Sequence, residues 1–345
     1  MKAVRIHEHG GIDKLRYEEA PQPELVSPDD AIVEVKAASL NPTDLGVRRG
    51  LLLAEMSFPH ILGSDGAGVV VAVGERVKNV KLGEPVCLYP ASGCGRCELC
   101  ITDREFICAD LRVLGERENG TYAEYVRTPA RNCFSIPSEL SFEEAAAFPL
   151  TYLTLWRILV THAEVKPGEY LLVLEIGGGL ASAALQLAAH LGARVIVASD
   201  NERNLVRAKQ MGAEHVINRK TADFAREVRQ ITGKRGVDVV VDCMGGETWA
   251  KSLAALAKGG RLVVCGTTAG AHPDTDIRRL FWNHLKIFGS TLGSRGEFRQ
   301  VLNFMETSRA KPAIDQIFPL QQAATAQQFL EDSEPLGKTV LRIGE

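Results

Sequence analysis

From Tyr170 onward the chain alternates short apolar runs with amphipathic stretches. The pattern predicts strands at Tyr170–Leu174, Arg194–Ala198, Val237–Asp242 and Arg261–Cys265, and helices at Leu180–Leu191, Glu202–Met211, Asp223–Ile231 and Thr248–Leu256. Apolar strands separated by helices imply a parallel, doubly wound sheet covered on both faces. The chain before Ser141 reads differently. Ala31–Ala38 partly alternates apolar and polar residues, Gly68–Val73 is a short β-branched run, and Pro and Gly punctuate the intervals. These are the signs of a barrel-like or sandwich-like β domain. Ser141-Phe-Glu-Glu144 predicts a helix start with Ser141 as N-cap, and a second helix follows over Thr151–Thr161. The segment from Ser290 to Glu345 returns to mixed elements and is expected to fold back onto the first domain. The fold class is α/β: a β-rich domain plus a doubly wound domain.

The 345 residues are long enough for two cores. Charged residues make up 24% and Lys+Arg against Asp+Glu leaves −3, so no basic surplus points to nucleic acid. The start, MKAVRIHEHG, has no apolar core of a secretory signal. The uncharged stretch Ile176–Ala193 opens with glycines and is marginal in length for a bilayer. A cytoplasmic protein with a small-molecule substrate, and neither membrane nor nucleic acid as partner, is expected. Of eight Cys, four crowd together as Cys94, Cys97, Cys100 and Cys108, which in a cytosolic protein points to metal rather than disulfides.

Tyr170–Ala181 (YLLVLEIGGGLA) reads as a buried strand, a glycine turn and a helix start. That context suits a dinucleotide, whose pyrophosphate sits against backbone N–H groups and the helix N-terminus. Gly177, Gly178, Gly179 and Leu180 are the candidate contacts; a plain strand-to-helix turn is the alternative. The turn departs from G-x-G-x-x-G at Ile176, and Glu175 adds a negative charge near the phosphates. At the end of the second strand, Ser199 occupies the position that reads the ribose, with Asp200 beside it and Arg203 and Arg207 on the next helix. A small neutral residue with nearby Arg favours NADPH; Asp200 is the argument for NADH.

Further signals are Leu62–Val69 (LGSDGAGV), Ala72-Val-Gly74, the Cys94–Cys108 lobe, Gly120–Tyr125 (GTYAEY) and Lys166–Glu169 (KPGE). Downstream lie Met211–Asn218 (MGAEHVIN), Gly236–Asp242 (GVDVVVD) and Phe281–Gly293 (FWNHLKIFGSTLG). In this order the chain resembles, over nearly its full length, the medium-chain dehydrogenase/reductase family of zinc alcohol dehydrogenases and quinone oxidoreductases. The resemblance implies a GroES-like domain over 1–148 and 290–345, with a Rossmann domain over 149–289 and the nicotinamide in the cleft. It also implies a homodimer or homotetramer paired through Rossmann-sheet edges, for which Lys286–Ser290 is the candidate.

The spacing Cys94-x2-Cys97-x2-Cys100-x7-Cys108 suits a closed tetrahedral zinc site, one per chain and structural. A ferredoxin-type cluster would need a shorter last gap and a following Pro, where this chain has Ala109. The family's catalytic zinc is another matter. The resemblance puts its three ligands at Asn41, Ser64 and near Leu150, and none of these is a zinc ligand of the family. Hydride transfer to an ordinary ketone then lacks its Lewis acid. An activated C=C or a quinone spreads the charge by its own conjugation, so an NADPH-dependent enone or quinone reductase is expected. The alternatives are an alcohol dehydrogenase and a family member without redox chemistry.

Asn41 is the candidate for orienting substrate or cofactor, or else a turn residue before Pro42. Thr43 stands where the family carries a proton-relay hydroxyl. Asp44 reads as the N-cap of the following short helix. Asp65 matches a family acid, and an ion pair with Arg48 or Arg49 is the expectation. Thr154 matches a Thr near the nicotinamide, and Gly266, Thr267 and Thr268 end a Rossmann strand facing the ligand crevice.

Overall fold

The computed structural model describes residues 1–51, 56–174, 179–333 and 335–344. The chain forms two compact units, Met1–Leu153 with Gly293–Glu345, and Thr154–Leu292. The boundaries fall at 153/154 and 292/293, against expected positions of 148/149 and 289/290. The first cut lies inside a continuous helix, Pro149–Trp156, which no composition change marks.

In the first unit the ten-residue strand Asp30–Ser39 is the organiser. It pairs along its length with Asp65–Val73, and on its other edge with Tyr125–Pro129 over its first half and Lys338–Arg342 over its second. All three pairings are antiparallel. The C-terminal segment supplies its strand by a right-sized crossover: Ile314–Pro319, helix Ala323–Ser333, then Lys338–Arg342 parallel to the first. Val340 faces Ser39 across the ladder and Leu40 N–H donates to Thr339 O, so the register delivers Lys338 beside residues 40 and 41. Helix Phe142–Ala146 starts at Ser141, whose hydroxyl accepts Glu144 N–H while the Glu144 carboxylate accepts Ser141 N–H.

In the second unit six parallel strands run in the order His215–Asn218, Arg194–Ser199, Tyr170–Leu174, Val237–Asp242, Leu256–Val264, Lys286–Gly289. The strand order is 3-2-1-4-5-6, the doubly wound dinucleotide-binding arrangement. Leu171–Leu174 and Val239–Val241 are wholly buried, as strands covered on both faces must be. The strand expected at Arg261–Cys265 begins earlier, at Leu256, which pairs with Val237; Lys258-Gly-Gly260 then bulges out of the ladder, and pairing resumes with Arg261 opposite Val239. No helix among the described residues is long and apolar enough to cross a membrane.

Candidate functional site

The four lobe cysteines converge. All their sulfurs lie within 4.8 Å of one another, with Cys97 and Cys108 3.7 Å apart and Cys94 and Cys100 3.9 Å apart. A tetrahedron with metal–sulfur bonds of about 2.3 Å has edges of about 3.8 Å. Backbone N–H groups of Cys94 and Asp110 point at Cys108 Sγ. Those of Arg96 and Cys97 pull the Cys94 thiol down to about 6, while burial pushes Cys100 up to about 12. Four sulfurs at these separations fit a divalent ion. Gly93 is needed here: a Cβ would stand 2.6 Å from Cys100 Sγ. Two acids between the third and fourth ligands hold the start of helix Arg295–Ser308. Glu105 accepts Arg295 N–H at 2.7 Å, and Asp103 accepts the Ser294 hydroxyl at 2.8 Å.

A second polar cluster gathers around Asn41, Ser64 and Leu150, the positions to which the resemblance assigns the catalytic zinc. Asp65 is wholly buried. Its Oδ1 accepts Leu150 N–H at 2.8 Å; its Oδ2 accepts Asn41 Nδ2 at 2.8 Å and the Ser39 hydroxyl at 3.1 Å. Lys338, 2% exposed, places its ammonium 2.5 Å from Asn41 Oδ1, and 3.4 Å from both Asp65 Oδ2 and Thr151 Oγ1. Asn41 Nδ2 also donates to Ser64 Oγ at 3.2 Å. A catalytic zinc does not fit. The three family positions hold an amide, a hydroxyl and an aliphatic side chain, and a cation already occupies the set. Among the described residues the four cysteines are the one group that could hold a metal.

This cluster corrects several expectations. Asp65 pairs with Lys338, not with Arg48 or Arg49; both arginines reach Glu331 instead, at 2.5 and 2.9 Å. Arg48 is 1% exposed. Asn41 has its amide fully spent within the protein, which removes it as a direct substrate donor. Asp44 is not the N-cap: helix Pro42–Arg49 begins one turn earlier, and the Asp44 carboxylate accepts Asn41 N–H at 2.8 Å and the Tyr122 hydroxyl at 3.0 Å. Burial pushes the Asp44 carboxyl up to about 7. Thr43 is exposed and makes none of these bonds. Lys338 and Thr151 were not legible as site residues; the available signal was a lysine opening the β-prone run Thr339-Val-Leu341.

In the second unit, Gly177 and Gly178, with Glu175 and Ile176, lie outside the described residues. Gly179 caps helix Leu180–His190 with φ +88, a left-handed conformation that suits glycine. That helix has no acid in its first turn, so its N-terminus favours an anion. Ser199 is 0% exposed and its hydroxyl accepts Asn201 N–H at 3.1 Å. Enclosed in this way, it contributes a small, neutral strand end. The Asp200 side chain is 39% exposed and lies 4.0 Å from Arg219. Arg203 is exposed on the first turn of the next helix. Buried Asp242 ties down the loop after its strand, accepting Met244 N–H, Gly245 N–H and the Thr248 and Ser252 hydroxyls. That loop zips to the one carrying Gly266, Thr267 and Thr268 through Ala269 N–H to Met244 O and Gly246 N–H to Gly270 O. A Cβ on Gly246 would meet Ala269 O at 2.1 Å, so the joined loops leave side-chain-free backbone beyond the strand ends. With Thr267 and Thr268 exposed there, the residues present fit a dinucleotide. Thr154 is partly exposed.

Comparison with known proteins follows the same division. Residues 27–138 match the alcohol dehydrogenase GroES-like domain, and residues 179–307 match the zinc-binding dehydrogenase family. A zinc-type alcohol dehydrogenase-like protein of Schizosaccharomyces pombe is 34% identical, covering 99% of each chain. The Homo sapiens quinone oxidoreductase is 28% identical over 99% of this chain and 97% of its own. A solved NAD-dependent alcohol dehydrogenase superposes with a TM-score of 0.94, at 40% identity and full coverage of both chains.

Proposed function

The chain belongs to the medium-chain dehydrogenase/reductase family of zinc-type alcohol dehydrogenases and quinone oxidoreductases, and on that premise we propose that it transfers a hydride from NADPH to an activated C=C bond or a quinone without a catalytic zinc. The observation that carries this reading is the Lys338 ammonium, 2.5 Å from Asn41 Oδ1 in the set that would otherwise hold the metal. NADPH, when bound, supplies the hydride. The chain's own part is to bind and orient. The Leu180–His190 N-terminus and the loops carrying Gly179, Gly266, Thr267 and Thr268 would hold the dinucleotide. Arg203 would meet a 2′-phosphate beside the small Ser199, and Arg219 offsets part of the Asp200 charge. Thr154 would face the reacting end. The cysteine lobe would hold one structural zinc.

A substrate whose conjugation carries the developing charge demands less of the site than a simple ketone. The relative named quinone oxidoreductase supports that choice. Alcohol oxidation with NAD is the second reading, supported by the 40%-identical structure named for it and by Asp200. The exposed Phe281 and Trp282, 61% and 74%, beside edge strand Lys286–Gly289 support pairing of two copies there. The test is titration with NADPH and NADH, followed by turnover of an enone, a quinone and an alcohol panel. Tighter NADPH binding with enone or quinone reduction is expected. Preferential NAD-dependent alcohol oxidation would overturn the reading.

A further inference from the structure

The first unit carries a cavity that the reading so far does not use. It measures about 580 Å³, an ordinary size for a small-molecule site, and every residue lining it belongs to that unit. Four arginines line it, Arg5, Arg112, Arg117 and Arg127, against two acids, Glu24 and Glu118. A chain of net charge −3 thus gathers positive charge at one place. Pro21, Pro23 and Pro59 supply an apolar wall. A second cavity of about 330 Å³ shares Val26, Arg112, Glu118 and Arg127 with the first, so the two adjoin.

Three of the four guanidiniums keep donors in reserve. Arg5 is committed, donating to Glu18 at 2.7 Å. A charge-assisted N–H bond closes at about 2.7–2.9 Å. The others stand wider: Arg112 lies 3.4 Å from both Glu118 and Asp110, and Arg127 lies 3.8 Å from Asp30. Arg117 is exposed and makes no hydrogen bond or ion pair among the described residues. Of the two acids on the wall, Glu118 faces Arg112, and Glu24 is exposed to the solvent that screens it. The backbone holds the segment that carries the three arginines. Strand Arg112–Val113 pairs with Ala91–Ser92, the following turn closes through Gly115 N–H to Glu118 O at 2.8 Å, and strand Tyr125–Pro129 pairs with Asp30–Ser39. A phosphate monoester offers three oxygens in three directions to such forks, where a carboxylate offers two in one plane. We propose that this cavity binds a phosphorylated small molecule, its phosphate held by Arg112, Arg117 and Arg127 and its apolar body lying on Pro21, Pro23 and Pro59. The dinucleotide loops belong to the second unit, so this is a separate site, and it does not rest on the reaction proposed above.

The test is calorimetric titration of the full chain with phenyl phosphate, in a buffer free of phosphate and sulfate. One site per chain with a Kd below about 1 mM is expected. Benzoate, the same ring with a carboxylate, should bind at least about tenfold weaker. Arg117→Ala and Arg127→Ala should each weaken phenyl phosphate about tenfold or more, because each removes a charge-assisted donor. Both should bind NADPH as wild type does, and saturating NADPH should leave the phenyl phosphate Kd within about twofold. Amide exchange should slow over residues 112–127 when phenyl phosphate binds. Should Arg127→Ala fail to fold, Arg117→Ala decides alone, since it removes an exposed side chain. The proposal is overturned if no saturable binding appears up to about 10 mM, or if Arg117→Ala binds phenyl phosphate like wild type. Displacement by NADPH would place the anion in the second unit and overturn it too, and equal affinity for benzoate would refute the phosphate assignment.

Discussion

Removing the Lys338 ammonium should be among the most destabilising single changes in the first unit. Lys338 and Asp65 are 2% and 0% exposed, their charged atoms 3.4 Å apart. Deleting one partner of such a pair leaves a bare charge in a site water cannot reach, which costs about 3–5 kcal/mol. A folded domain holds only about 5–15 kcal/mol in total. Lys338→Met should therefore cost about 3–5 kcal/mol. Lys338→Met with Asp65→Asn removes both charges and lets the new amide donate to Asn41 Oδ1. The double variant should cost about 2 kcal/mol less than the two single changes together. Urea unfolding measures this with two signals. All three Trp (Trp156, Trp249 and Trp282) lie in the second unit, so tryptophan fluorescence follows that unit while far-UV circular dichroism follows both. The shift should appear in the circular dichroism transition and leave the fluorescence midpoint in place. A single-variant cost below about 1 kcal/mol, or strict additivity, would refute the buried-pair reasoning.

Metal analysis should find about one zinc per chain; two would refute the lysine-for-metal assignment. Chelation should loosen helix Arg295–Ser308, read as faster amide exchange at its first turn, because Asp103 and Glu105 reach it from the lobe. Asp44 has a folded value of about 7 against an ordinary 3.8, so the fold keeps this proton longer than the unfolded chain does. Its contribution is complete below about pH 4 and declines as pH rises to 7, by at most about 4 kcal/mol. Asp44→Asn should flatten stability over that window, and parallel profiles for the two proteins would count against it. Arg203→Ala should weaken NADPH about fivefold, roughly 1 kcal/mol, and leave NADH unchanged; equal losses for both cofactors would remove Arg203 from the 2′-phosphate.

Local signals were legible and distant ones were not. Tyr170–Leu174 and Val237–Asp242 run as expected because parallel strands buried on both faces are apolar throughout. Four cysteines within fifteen residues announce their site because nothing but spacing is needed. Asn41 and Asp65 were visible as unusual residues, yet their partner was not. Lys338 lies 297 and 273 residues away from them, and only the register of a returning strand brings it there. Ser199 illustrates a subtler limit. Its position at a strand end was right, but the tight turn that follows claims its hydroxyl, and sequence does not show which way a serine turns. Arg48 went to Glu331 for the same reason that Lys338 was missed: the acid belongs to the returning segment.

The 273 residues between Asp65 and Lys338 also set a timetable. At about 5–20 residues per second, a ribosome takes roughly 14–55 s to make the second after the first. Throughout that interval Asp65 and Asn41 have no ammonium to close on, so they stay hydrated and the strand Asp30–Ser39 keeps half of one edge open. The six-stranded unit is finished before then. A nascent chain therefore passes through a stage in which the six-stranded unit is complete and the Asn41–Asp65 cluster is not, and the strand Lys338–Arg342 is what closes that cluster.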